Sequence, residues 1–323
     1  MMTKINTQLK RTLLSASLVS TMMTASAAVP PSQAAANPLL QRSGLLFSAP
    51  DFRKIKTPDY LPAIQEAIRQ QRAAIKRITA NKKPATFANT ILALEKSGEL
   101  LDRVTSVFYG LASADRTPEI AAIEKEATPM LTDLQNEISF DAKLFARVKY
   151  VYRNEYKKLK GEDKKLLDEV YKDFVRSGAL LPAAKKERMM AINKRISALQ
   201  QEWGTQLPAA TNDAVVWVQS REELAGLSEA DVAQCKKDAE SRGAKAPYCI
   251  VIINTTQQPI LTHLDNRDLR RRVYEASIHR ADGTGSHNTF PLVAEIAKLR
   301  AEKAELMGYK DYASYSLERT MAK

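Results

Sequence analysis

Apolar residues recur at every third or fourth position along most of this chain, which is the spacing of one face of an α-helix. The first stripe begins at Tyr60 and ends before Pro84, because proline disfavours helical geometry in the residue that precedes it. Thr86 then predicts the N-cap of a second helix, and Ser97-Gly98 predicts a kink or a break inside it. Further stripes run over residues 117–134, 144–152, 166–175 and 183–206.

Two prolines mark predicted helix ends. Thr117-Pro118-Glu119 predicts a helix start, with proline in the first turn and an acidic side chain beside it. Pro208 is predicted to stop the long helix over residues 183–206, because an interior proline removes a backbone donor. Only 11 Gly and 14 Pro occur in 323 residues, and this scarcity also favours long helices over a many-stranded sheet.

Residues 212–256 have a different character. Val215–Val218 and residues 250–253 are short β-branched runs that predict strands. Between them, Ser228 begins a capping pattern that predicts a short helix, and helices are expected to resume at about Asp268. The predicted fold class is therefore mainly α, with a small strand–helix–strand insert near residues 212–256.

The N-terminus has the pattern of a secretory signal. Lys4, Lys10 and Arg11 precede an uncharged, mostly apolar run, and Ala25-Ser26-Ala27 supplies small residues for cleavage. The run is too short to predict a membrane span. We therefore expect a signal peptide over residues 1–28, cleaved near Ala27, then a flexible leader over residues 29–50, and a periplasmic or secreted protein with no membrane partner. An uncleaved anchor is the alternative.

The net charge is +12, and +9 without the three cations of the signal segment. A net positive charge of this size is compatible with several classes of anionic partner. A nucleic-acid site would also need interleaved aromatic side chains, and Tyr274 is the one aromatic residue within the arginine cluster. We therefore predict solvated helix faces and no nucleic-acid partner. The two basic clusters contain Arg267, Arg270, Arg271, Arg272 and Arg280, and Lys157, Lys158, Lys160, Lys164 and Lys165.

The two cysteines, Cys235 and Cys249, leave two interpretations open. In an exported protein they could form a disulfide that closes a short loop, or they could be two separate buried thiols. Their spacing is not that of a metal site.

No complete active site can be assembled from these residues. His263, His279 and His287 are the only histidines, and none has a second histidine four residues away, so the zinc motif H-E-x-x-H is absent. His279 and His287 flank residues 282–285, Asp-Gly-Thr-Gly, which we interpret as a turn that could bring the two rings together. We assign no catalytic, cofactor-binding or metal-ligating residue.

Several separated segments nevertheless resemble one family. They are residues 87–95, 97–108 and 254–259, Val273-Tyr274-Glu275-Ala276, Leu299-Arg300-Ala301-Glu302-Lys303-Ala304, Leu306-Met307-Gly308-Tyr309 and Tyr312-Ala313. In these segments the chain is similar to the thimet-oligopeptidase family of zinc metallopeptidases, and most similar to its peptidyl-dipeptidase branch. The resemblance covers roughly residues 60–323.

The resemblance implies a two-lobed, mainly helical enzyme with a channel for short peptides. It also implies a zinc ion held by H-E-x-x-H and a later Glu, and the release of dipeptides from peptide C-termini. Residues 51–260 would be the N-terminal helical lobe and residues 261–323 the start of a truncated catalytic lobe. We expect this chain to be inactive alone, to pair with the missing lobe, and to leave the apolar faces of Ile296, Leu299 and Leu306 partly exposed without it. The alternative is a non-catalytic helical protein that binds peptides or a partner chain.

Overall fold

The computed structural model describes residues 37–322, and the predicted signal segment lies outside them. The described chain is mainly helical with one small two-stranded sheet, which confirms the predicted fold class. Asn37 and Leu39 are 7% and 5% exposed, so the chain packs on the core inside the range that predicted a leader. None of the helices in this part of the chain is long and apolar enough to cross a bilayer.

The first half of the described chain contains seven α-helices with short connections. They are α1 Tyr60–Ala80, α2 Ala93–Ser97, α3 Glu99–Ala114, α4 Pro118–Phe140, α5 Ala142–Glu155, α6 Gly161–Ser177 and α7 Ala183–Asp213. A single π-helical stretch, Phe87–Leu92, runs directly into α2. Short 3₁₀ turns lie at Pro38–Leu40, Leu46–Ser48 and Thr57–Asp59.

Helix starts follow the predicted capping residues. The hydroxyl of Thr86 accepts from the Asn89 amide at 3.2 Å, and that of Thr117 accepts from the Ile120 amide at 3.3 Å. Gly98 separates α2 from α3 as predicted. Gly98 keeps helical backbone angles, φ −88° and ψ −15°, so α2 and α3 are separated at a residue whose backbone conformation is itself helical.

Two hydrophobic clusters hold this half together. In the first, α1, α3 and α4 bury Tyr60, Ile64 and Phe108 at 2% exposure or less. In the second, the far end of α1 packs with the π-helical stretch, α5 and α6 around Leu144, Val148 and Leu167. The apolar stripes of the sequence are therefore the buried faces of the helices.

The prediction that Pro208 ends the long helix is wrong, because α7 continues to Asp213. Proline leaves the carbonyl four residues earlier, that of Gly204, without its helical donor. Pro208 lies on the exposed side of α7, where water can bind that carbonyl, and the helix can therefore continue.

The predicted insert is present with one strand displaced. Strand β1 is Val215–Val218, helix α8 is Glu229–Ser241, and strand β2 is Tyr248–Val251, antiparallel to β1. The predicted second strand, residues 250–253, begins two residues too late. Val251 pairs with Val215, the first residue of β1, so Ile252 and Ile253 lie beyond the end of the partner strand.

Helices resume earlier than predicted. Helix α9, Asn254–His263, begins directly after the insert. Its first turn is polar and Pro259 lies inside the helix, so this segment has no apolar periodicity that would predict a helix. It is followed by α10 Arg267–Ile278, α11 Phe290–Leu306 and α12 Tyr312–Leu317. Helix α11 packs along α7, and this contact joins the C-terminal helices to the first half of the chain.

Candidate functional site

The two histidines flanking the turn bind different carboxylates. The His279 Nδ1 lies 2.6 Å from Asp282 Oδ2, whereas the His287 Nε2 lies 3.1 Å from Asp213 Oδ2. Residues 282–285 form a turn as predicted, with Gly283 at φ +96° and the Asp282 carboxylate accepting from the Thr284 amide at 2.9 Å. The hydrogen bond from His279, together with those from Thr284, lowers the pKa of Asp282 to about 2.

These groups do not make a zinc site. A protein zinc site needs at least three converging nitrogen, sulfur or carboxylate ligands. Over residues 37–322, no three side chains of His, Cys, Asp or Glu come together in a group that could hold a metal ion. The histidine–carboxylate pairs serve instead to fasten the loop between α10 and α11 to itself and to the end of α7.

The arginine cluster of α10 is only partly the solvated face that we predicted. Arg280 donates to the carbonyl of Ile252 at 3.3 Å and to the Thr211 hydroxyl at 3.4 Å. Arg270 donates to the carbonyls of Leu264 and Asp265, which follow the last residue of α9. Guanidinium groups thus satisfy backbone acceptors that have lost their regular partners. The sequence could not show this, because the acceptors lie on other elements.

The cysteines are two separate thiols in this structure. Cys235 on α8 packs with Ile250 and Val216, whereas Cys249 on β2 packs with Ala239 and Val251. Burial raises the pKa of Cys235 to about 12 and also raises that of Cys249. Both thiols are therefore protonated and act as small apolar side chains.

The prediction that Ile296, Leu299 and Leu306 are exposed is wrong for the first two. Ile296 and Leu299 are 9% and 8% exposed, and they pack on Ile192 and Leu199 of α7. Leu306 is partly buried against the same cluster. The structure thus provides a partner for this stripe within the described chain.

Helix α11 nevertheless has a second apolar stripe, and that stripe is free of contacts that would bury it. Phe290 and Val293 are 64% and 50% exposed, and Ala294, Ala297 and Ala301 continue the same exposed side. We call these five residues of α11 the outer face. On α10, the preceding helix in the chain, Tyr274 and Ile278 are also exposed, at 55% and 51%. A continuous exposed apolar stripe is typical of an interaction site.

A buried polar chain links α11 to the first half of the molecule. Lys303 Nζ donates to Asn193 Oδ1 on α7 at 2.8 Å, and Asn193 Nδ2 donates to Asn136 Oδ1 on α4 at 2.9 Å. Burial lowers the pKa of Lys303 below its usual range. Lys303 thus joins α11 to α7 directly and to α4 through Asn193. Two ion pairs, Glu302 with Arg188 and Glu295 with Arg195, also join α11 to α7.

This burial predicts a pH-dependent stability. In the unfolded chain the Lys303 amine binds its proton more tightly than in the folded protein, so its charge opposes folding at neutral pH and does so less as pH rises. The free energy of unfolding of the wild type should therefore rise relative to that of Lys303→Met over the pH range that ends at the ordinary lysine pKa of about 10.4. Urea unfolding across this range measures it. Parallel pH curves for the wild type and Lys303→Met would contradict this effect of burial.

Helix α12 is held against α6 by one arginine. The Arg176 guanidinium lies 4.6 Å from the Tyr315 ring centroid, and the Tyr315 hydroxyl donates to the Arg176 carbonyl at 3.1 Å. Tyr309, which belongs to the segments that carry the family resemblance, accepts from Arg176 at 3.4 Å and is therefore a structural contact here.

Comparison with known proteins places this architecture in a family. Residues 260–323, which include α10 to α12, match Peptidase family M3. The chain is 35% identical to the dipeptidyl carboxypeptidase of Escherichia coli (strain K12) over 89% of its own length and 42% of that protein. It is 29% identical to the oligopeptidase A of Salmonella typhimurium (strain LT2) over 88% of its length and 42% of that protein.

The chain thus spans less than half the length of these relatives. The matches extend over both the first half of the described chain and the C-terminal helices, in agreement with the resemblance seen in the sequence. The chain is thus related to the thimet-oligopeptidase family of metallopeptidases, and residues 260–323 carry its match to Peptidase family M3.

Proposed function

We propose that this chain is the N-terminal helical part of a zinc-dependent peptidyl-dipeptidase that removes dipeptides from the C-termini of short peptides. The observation that carries the proposal is the 35% identity to a dipeptidyl carboxypeptidase, compared with 29% to oligopeptidase A over nearly the same share of the chain. The difference favours a dipeptidyl carboxypeptidase over an oligopeptidase.

In this proposal the chemistry belongs to a catalytic lobe that residues 1–323 do not supply. These residues contain no H-E-x-x-H motif, and the described ones bring no three ligands together. A polypeptide of residues 1–323 would therefore neither hold a catalytic zinc nor cleave peptides. Its part would be to form one wall of the peptide channel.

The outer face is the surface that we assign to contact with that lobe. It lies within the segment that matches family M3, and Phe290 is 64% exposed at the start of α11. Burying a phenylalanine side chain stabilises an interface by about 1.5–3 kcal/mol.

We also propose export to the periplasm, which rests on the signal pattern of residues 1–28. N-terminal sequencing of protein recovered outside the cytoplasm tests it, and an intact Met1 there would contradict cleavage.

A second candidate is a non-catalytic binding protein, which the missing zinc motif favours. Its outer face would then bind a partner chain, or a peptide, without hydrolysis.

A hydrolysis assay and the coding DNA together separate the candidates. Purified residues 1–323, supplied with zinc and a blocked tetrapeptide, should release no dipeptide. Chelator-sensitive release by the pure chain would contradict the expected inactivity. The DNA that follows the Lys323 codon is read in parallel. An open frame that encodes H-E-x-x-H supports the peptidyl-dipeptidase, and its product should release dipeptides, whereas an immediate stop codon supports the binding protein.

A further inference from the structure

A cavity of about 370 Å³ lies beneath the first described segment, where residues 38–55 cross helix α3. Both ends of this segment are anchored in the core, because Leu39 and Ile55 are 5% and 9% exposed. The Arg103 guanidinium on α3 donates to the Leu39 carbonyl at 3.3 Å and so fastens one end. The volume is in the range of pockets that hold small ligands.

The middle of the segment arches away from the core. Leu46 and Phe47 are 78% and 94% exposed, and Phe47 and Ser48 both have φ near +57°, which is unfavourable for residues with a side chain. The arch is thus kept open at the cost of backbone strain and of exposed apolar surface. Because the arch lies away from the core, its side chains do not fill the cavity beneath it.

The lining of the cavity combines an apolar floor with cations. Leu39, Ile55 and Val107 supply the apolar side, and Arg42, Arg53, Lys54 and Arg103 supply four positive charges. Asp51 is the one carboxylate in the lining. It accepts from Arg53 at 2.8 Å and lies 3.6 Å from Lys54, and the Arg53 hydrogen bond lowers its pKa to about 2. Asp51 therefore neutralises Arg53 and Lys54 in part and leaves the other two cations.

Those two cations are available to an anion. Arg42 has only a distant carboxylate, Glu99, at 3.8 Å, and its side chain is 78% exposed. Arg103 forms no ion pair with any carboxylate in residues 37–322. A guanidinium binds a carboxylate through two parallel hydrogen bonds, and it does so more strongly beside apolar surface.

We propose that this cavity binds a carboxylate carried on an apolar chain of about ten heavy atoms or fewer. The apolar chain lies against Leu39, Ile55 and Val107, and the carboxylate accepts hydrogen bonds from Arg103 and Arg42. A fatty acid and the apolar C-terminal residue of a peptide share this chemistry. The site is independent of the peptidase proposal, because it uses no residue of the outer face and no metal.

The test is calorimetric titration of the purified 323-residue chain with octanoate, N-acetyl-leucine, octanol and octylammonium. We expect octanoate to bind with a Kd of about 1 mM, and octanol and octylammonium to bind at least about tenfold more weakly. Tighter binding of N-acetyl-leucine than octanoate identifies a peptide terminus as the source, and the reverse order identifies a fatty acid. Equal affinity for octanoate and octanol, or no binding of either acid at about 10 mM, overturns the proposal.

Variants locate the site. Arg103→Met should weaken octanoate binding by about tenfold or more, whereas Arg153→Met, an exposed arginine on α5, should leave it unchanged. Because Arg103 also holds Leu39, Val107→Trp is a second variant that fills the cavity without removing that hydrogen bond. It should abolish binding of both acids while the thermal unfolding midpoint stays within a few degrees. Unchanged octanoate affinity in both Arg103→Met and Val107→Trp overturns the assignment.

Discussion

Replacing Phe108 by alanine is expected to lower the free energy of unfolding by about 3–5 kcal/mol. Phe108 on α3 is 0% exposed, and its ring centroid lies 5.4 Å from that of Tyr60 and 5.0 Å from that of Tyr109. The substitution removes both ring contacts and leaves a void that rigid neighbouring helices cannot fill. It should therefore weaken the packing of α1, α3 and α4 together.

Urea unfolding followed by circular dichroism measures this change. Phe52→Ala is the matched control, because Phe52 is 57% exposed and its loss should change the free energy by no more than about 0.5 kcal/mol. A Phe108→Ala loss as small as that of the control would mean that the cluster around Tyr60 is not the stabilising core of the first half.

Replacing Leu199 by alanine is expected to cost about 2–5 kcal/mol and to loosen α11 selectively. Leu199 is 0% exposed on α7 and belongs to the cluster that buries Leu292, Ile296 and Leu299. Since α11 has its other side exposed to solvent, this contact carries most of its apolar burial. Loss of the contact should release α11 before the rest of the chain unfolds.

Amide hydrogen exchange resolves this local effect. Protection should fall across Phe290–Leu306 in Leu199→Ala, while the amides of Tyr60–Ala80 keep theirs. Leu180→Ala is the control, because Leu180 is 56% exposed and should change neither quantity by more than about 0.5 kcal/mol. Uniform loss of protection along the whole chain would contradict a separate contribution from α11.

Features that depend on contacts within a few residues can be predicted from the sequence alone. Thr86 and Ser228 cap helices as predicted, and Thr117 caps the helix whose start was predicted there, because an N-cap hydrogen bond reaches only three residues along the backbone. Strand β1 was also predicted, because four consecutive β-branched or aromatic residues leave little helical preference. The turn at residues 282–285 follows in the same way from its own two glycines.

Features that depend on residues far away in the sequence cannot be predicted in this way. Pro208 does not end α7, since its side of the helix faces water, and exposure is a property of the folded molecule. The end of β2 was misplaced because β1 is only four residues long and cannot pair with Ile252. Arg280 was assigned to a solvated face, although the acceptors that it reaches lie on α7 and beside β2.

The sequence by itself determined the fold class, most helix starts, the lack of H-E-x-x-H in residues 1–323, and the resemblance to family M3. Each depends on residue order or on contacts within one turn. Only the tertiary structure decided which of the two apolar stripes of α11 is buried. Both stripes are apolar and have helical spacing, and the difference in exposure arises from α7, which covers Ile296 and Leu299 and leaves Phe290 and Val293 in water.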